Sequence, residues 1–158
     1  MALDPTARES NVRDSVKKYF VDNLSRTEGI ELTFDSGLST PKIQGQNFDI
    51  DRWVAIQFGS LLTDTMSEIS LDIVCCARQD GEGFKLAQLR DKVLGYLLDG
   101  TRDDGQTRIT LYRSYADRAW EYLGALLVFV DGESDPMTAP DGTKFKVIPC
   151  RLKWGMKP

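Results

Sequence analysis

The chain reads as an α+β domain, a mainly antiparallel sheet with two principal helices packed on one face. Two segments carry apolar residues at helical spacing, and the remaining apolar residues fall in short runs that alternate or are rich in β-branched and aromatic side chains. Their order, helix, strands, helix, strands, predicts helices gathered on one side of an antiparallel sheet.

The first helix is predicted over about residues 8–25, where Val12, Val16, Tyr19, Phe20 and Leu24 form one stripe opposite Arg13, Asp14, Lys17, Lys18 and Asp22. Ser10 or Asn11 is the expected cap, and Gly29 allows the chain to turn beyond the helix. Ile30, Leu32 and Phe34 then alternate as a strand, followed by turn formers that predict a long exposed loop over 35–47. The run from Arg52 to Phe58, ending at Gly59, and the alternating stretch from Ser67 to Ala77 predict two strands joined through Thr63-Asp64.

The second helix follows the break at Asp80-Gly81-Glu82-Gly83. Its stripe of Phe84, Leu86, Leu89, Val93, Leu94, Leu97 and Leu98 is expected to pack on the sheet and closes at Gly100. Strands are expected from Thr107 to Tyr112 and from Trp120 to Val130, the latter apolar on both faces and so central. A second exposed loop spans 131–142. The final strand runs from Lys144 to Trp154, and Pro149 within it points to an edge or a bulge.

At 158 residues the whole chain, 1–158, fits a single domain able to bury a core without disulfides or metal. A hydrophobic fraction of 41% and a charged fraction of 28% are those of a folded soluble protein. No run reaches the roughly 20 apolar residues that cross a bilayer, and the start lacks a basic then apolar leader, so no membrane partner is expected and the chain should be made in a cytoplasm.

The chain contains no histidine, which removes the commonest general base, the usual nucleophile triads and most zinc sites. Neither glycine-rich nucleotide signature occurs. Cys75 and Cys76 are adjacent, so a strand sends them to opposite faces; with the distant Cys150 they read as buried free thiols. Asp99, Asp103 and Asp104 lack the ligand spacing of a calcium loop. No catalytic, cofactor or metal residue is assigned on this basis. A net charge of −4 argues against gripping DNA, and Arg108, Arg113 and Arg118 around Tyr112 and Tyr115 match the face of neither a helix nor a strand.

The stretch from Arg52 to Gly59, the strand from Glu68 to Ala77 and the helix from Phe84 to Leu98, with an amphipathic helix before them and the strand ending at Trp154 after them, resemble the tail terminator family of long-tailed bacteriophages. That resemblance implies a structural virion protein without catalysis, forming a hexameric ring at the tail–neck junction after assembly in the host cytoplasm. Its partners would be other copies of itself, the tail tube protein and the head–tail connector protein. DNA would pass through the lumen without specific binding, which suits an acidic chain. Another phage neck or tail-completion protein, or a small ligand-binding or enzymatic domain with a carboxylate such as Asp72 or Glu121 buried in a pocket, is the alternative.

Contact residues are expected among large aromatics near strand ends, Trp53, Phe58, Tyr115 and Trp120, for each of which core packing is the competing role. Arg113 and Arg118 join them as a solvated rim or subunit contact.

Overall fold

The computed structural model describes residues 9–35, 42–43, 46–47, 51–62, 66–78, 80–102, 105–113, 121–140 and 142–155. Helix α1, Glu9–Phe20, continues into a π-helical stretch, Val21–Thr27. Strand β1 follows at Glu31–Phe34; β2, Lys42–Ile43, and β3, Gln46–Asn47, form a small antiparallel pair of their own. The other elements are β4 (Arg52–Leu62), β5 (Met66–Ala77), α2 (Phe84–Leu97), β6 (Arg108–Arg113), β7 (Glu121–Val130), β8 (Met137–Thr138) and β9 (Lys144–Gly155). This is an α+β fold, as the periodicities predict.

The main sheet has the order β1-β4-β5-β9-β7-β6, with β8 also on β9. Among the described residues only β1 and β4 run parallel; the other pairs are antiparallel. Alternation along β5 sends Ile69, Leu71, Ile73 and Cys75 into the main core with the helix stripes, while Val74 and Cys76 meet Trp53 and Ala55 in a smaller cluster on the outer face. The adjacent thiols therefore part as expected, and Cys75, Cys76 and Cys150 are buried and free.

Helix α1 buries Val12, Val16 and Phe20, and the π-helical stretch adds Leu24. The helix already includes Ser10 and Asn11, so neither is its cap. Gly29, at φ 67, ends it: its N–H donates to Ser25 O, and Ile30 N–H donates to Leu24 O at 2.9 Å. Ser15 Oγ accepts the N–H of Tyr112 on β6 at 2.9 Å. Arg13 pairs with Asp35, just past β1, and lies 4.5 Å from the Phe58 ring centre, while Lys17 lies over Phe34. The sheet curls so that both of its edges, β1 and β6, meet α1.

Helix α2 packs Leu86, Leu89, Val93, Leu94 and Leu97 on the sheet. Phe84 is 66% exposed and Leu98 48%, so the ends of the expected stripe do not pack. The reason lies in the approach of the chain. Gly83 holds a left-handed φ of 78, and Asp80, upstream of it, accepts the N–H groups of Lys85 and Leu86, which turns Phe84 outward. Burial would raise the Asp80 pKa, but these backbone donors outweigh it and hold the carboxyl below its ordinary range.

β9 lies within the sheet, paired with β5 along its length, but β7 leaves it before Pro149, so at that residue the strand is an edge on one side, as expected of a proline. The β7 ladder stops at Val130–Cys150, and Pro149 O accepts Asp131 N–H. The proline nitrogen faces that same side, where the ladder has ended, so no strand hydrogen bond is lost. The 131–142 loop is exposed as expected but is also tied down. Ser134 N–H donates to Val147 O, β8 pairs with β9, and Glu133 binds Arg90 of α2 and Lys146 of β9. Among the described residues of the 35–47 loop, 42–43 and 46–47 pair with each other.

Candidate assembly surface

The antiparallel register fixes which residues share an end of the sheet. Met66 faces Gly155, Leu62 faces Glu68, and Leu127 faces Lys153. The close of β4, the start of β5, the close of β9, the start of β7 and the close of β6 therefore lie at one end. The opposite end carries Arg52, Ala77, Lys144 and the start of α2.

That first end exposes apolar side chains among charged neighbours such as Glu68 and Lys153. Leu61 is 38% exposed, Leu62 60%, Met66 50% and Tyr122 69%. Leu62 and Met66 share the outer face, diagonal to each other across the β4–β5 pair, and Leu61 points to the helix-bearing face opposite Ile69. Exposed apolar side chains clustered at one place mark contact surfaces more than scattered ones do. A bulge between Phe58 and Leu61 precedes them. A Cβ at Gly59 would stand 2.2 Å from Ser70 Oγ, so any larger residue there needs that hydroxyl to turn aside.

The expected contact residues are not brought together. Trp53 is fully buried in the outer-face cluster near the far end of the sheet, with Arg78 5.0 Å from its ring centre. Within the subunit it is a packing residue. Its indole Nε1–H has no hydrogen-bond partner among the described residues. Phe58 is half-buried against the main core in mid-sheet, level with Leu71 and Cys150. Arg113 ends β6 at the first end, and its backbone pairs with Glu121. Tyr115, Arg118 and Trp120 lie outside the described residues. Leu61, Leu62, Met66 and Tyr122 went unremarked in the sequence. The legible signal was the uncharged run from Trp53 to Thr63, which continues past Gly59, where the strand was expected to end.

The charged groups mostly hold elements together. Glu133 receives Arg90 Nε at 2.7 Å and Nη2 at 2.6 Å, and Lys146 Nζ stands 3.0 Å from it. The Arg90 hydrogen bonds, reinforced by Lys146, overcome partial burial and bring the Glu133 pKa down to about 2. Tyr19 donates to Tyr96 O at 2.5 Å, while Tyr96 Oη and Lys92 both donate to Glu28, tying α1 and its extension to α2. Burial, then Tyr96, pushes the Tyr19 pKa up to about 12. Burial also pushes the Cys75 and Cys150 thiols up to about 12, the opposite of an activated nucleophile.

Asp72 is exposed on the outer face and is not the buried carboxylate that an enzymatic reading needed. Among the described residues, no group of three or more His, Cys, Asp or Glu side chains could hold a metal ion, and no helix is long and apolar enough to cross a membrane. A groove of about 580 Å³ lies between α2 and the β8–β9 turn, its lining mixing apolar Leu86 and Met137 with Glu82, Asp91, Arg90 and Lys146.

No protein-family model matches this chain, and no curated protein matches it in sequence. A solved structure that carries no descriptive name is similar, with a TM-score of 0.58 and 12% identity over 96% of this chain and 99% of that one. At that identity the likeness concerns the fold.

Proposed function

We propose that this chain is a non-enzymatic virion subunit of the tail terminator type, forming a hexameric ring that ends tail-tube polymerisation and joins the tail to the head connector. The observation that carries the reading is the end of the sheet at which Leu62 and Met66 on the outer face, Leu61 on the helix-bearing face and Tyr122 at the start of β7 are each exposed. A protein that works by packing against copies of itself and against a tube needs such a surface, and a ring needs contacts that are heterologous and close by rotation. The order of elements resembles that of the family, and the net charge of −4 suits a lumen through which DNA slides without being held. In this reading the partners are further copies of the chain, the tail tube protein and the head–tail connector protein, and the place is the tail–neck junction of the virion.

The test is made on particles. Without the protein, tubes are expected to outgrow their normal length and stay detached from heads, and labelled protein is expected as one ring at the head-proximal end of the tail. Tails of normal length, joined to heads in its absence, would sink the proposal. The alternative of another neck or tail-completion protein predicts the same location with tube length unchanged. The ligand-binding alternative draws on the groove beside α2 and predicts a small-molecule partner, with the protein absent from particles.

A further inference from the structure

We propose that the π-helical stretch Val21–Thr27 is a two-state element, latched in its observed winding by the grip of Glu28 on α2 and rewinding as α-helix when that latch opens. Tyr19, in the last turn of α1, donates its hydroxyl to Tyr96 O. Glu28, nine residues further on, accepts the Tyr96 hydroxyl at 2.9 Å and Lys92 Nζ at 3.0 Å. Both ends of the stretch therefore hold the same residue of α2. At the ~3.6 residues per turn of an α-helix, nine residues make about two and a half turns and would put Glu28 on the flank opposite Tyr19. Bonding to the fifth residue back widens each turn, so the same residues make roughly two turns and Glu28 returns to the flank of Tyr19.

Core packing does not choose between the two windings. Phe20 and Leu24 are both fully buried, and their spacing of four keeps them on one face in either form. The ion pairs of Asp22 with Lys18 and Arg26 also join residues four apart and serve both. What favours the π winding is polar. Thr27 Oγ1 donates to Asp22 O, five residues back, at 3.0 Å. Asn23 Nδ2 donates at 2.8 Å to Tyr19 O, the carbonyl that an α-helix would give to the Asn23 N–H.

π winding is rare beside α winding and is found mostly at functional sites, so a stretch of seven residues persists because side chains hold it. The tie to α2 requires the π winding, and by reciprocity the winding leans on the tie. In the α form Glu28 leaves α2, which frees Lys92 and the Tyr96 hydroxyl, and the turn at Gly29 that leads into β1 takes up the change. The switch belongs to the single subunit and does not depend on the ring reading.

The experiment is NMR on the purified full chain, reading the couplings across hydrogen bonds that name the acceptor of each N–H. In the wild type the Arg26 N–H is expected to couple to the carbonyl of Val21, five residues back, and in the α form to that of Asp22. Tyr96→Phe deletes the hydroxyl that Glu28 accepts and leaves the carbonyl that Tyr19 uses. Losing this hydrogen bond to a charged group is expected to move the balance towards α about tenfold. The Asp22 coupling should then grow at the expense of the Val21 coupling, with faster exchange at Gly29 and Ile30, whose N–H groups bond Ser25 O and Leu24 O. Glu28→Gln, at the partly exposed end of the helix, removes the charge facing Lys92 and makes the same test should Tyr96→Phe fold poorly. A wild-type Arg26 N–H coupled to Asp22 overturns the proposal, and so do folded latch variants that keep the Val21 coupling at wild-type strength.

Discussion

Two substitutions on α2 separate the face that packs from the face that periodicity alone would choose. Leu89 and Phe84 both belong to the apolar stripe, but Leu89 is 0% exposed in the main core and Phe84 is 66% exposed. Leu89→Ala leaves a cavity facing the sheet and costs about 3 kcal/mol, within the usual range for a buried leucine. For a chain of this length that lowers the melting temperature by roughly 6–12 °C. Phe84→Ala removes little buried surface and costs less than about 0.5 kcal/mol, a shift under about 2 °C. Thermal melts followed by far-UV circular dichroism, repeated in urea with a common slope, give both numbers. Equal losses for the two variants, or a Leu89→Ala melt within 2 °C of wild type, would mean that α2 is rotated from the orientation described.

Two further outcomes test how the fold is tied. Glu133→Gln removes the charge that binds the 131–138 segment to Arg90 and Lys146, so exchange at Ser134 and Val147 should quicken at neutral pH. The Glu133 pKa is depressed in the fold, so its contribution is complete above the ordinary glutamate range and disappears as pH falls towards about 2. The stability gap between wild type and variant should therefore narrow over that interval, and a gap that widens on acidification refutes the clamp. Ser15→Ala deprives the Tyr112 N–H of the Oγ that caps β6 and should cost about 1–3 kcal/mol with faster exchange at Tyr112; unchanged exchange there would show that α1 does not guard this edge.

Local pattern was enough to read the helix around Val12, Val16 and Phe20, the helix around Leu89 and Val93, and the alternating strand that parts Cys75 from Cys76. Each depends on side chains a few residues apart, where period and burial are the same information. Pattern failed where the answer depended on a distant neighbour. Pro149 marked an edge correctly on the side where β7 has ended, but that its strand lies inside the sheet, with β5 along its whole other side, was not legible. The 131–142 segment read as a simple loop because its residues are turn formers, and its ties to Arg90 and Val147 come from elsewhere in the chain. Trp53 is as large and aromatic as an interface anchor, and only the sheet placed it under Arg78.

By itself, then, the sequence determined the kinds of element and the division of each strand into two faces, since these follow from residue type and spacing. The tertiary structure decided that α1 meets both edges of the sheet, that the close of β4 and the start of β7 share an end, and that Leu61, Leu62 and Met66 lie open there. The reason is that backbone ladders are nearly blind to side-chain identity. Which strand lies beside which, and in what register, is chosen by pairings between segments far apart in the chain, and an exposed surface is what those pairings leave uncovered.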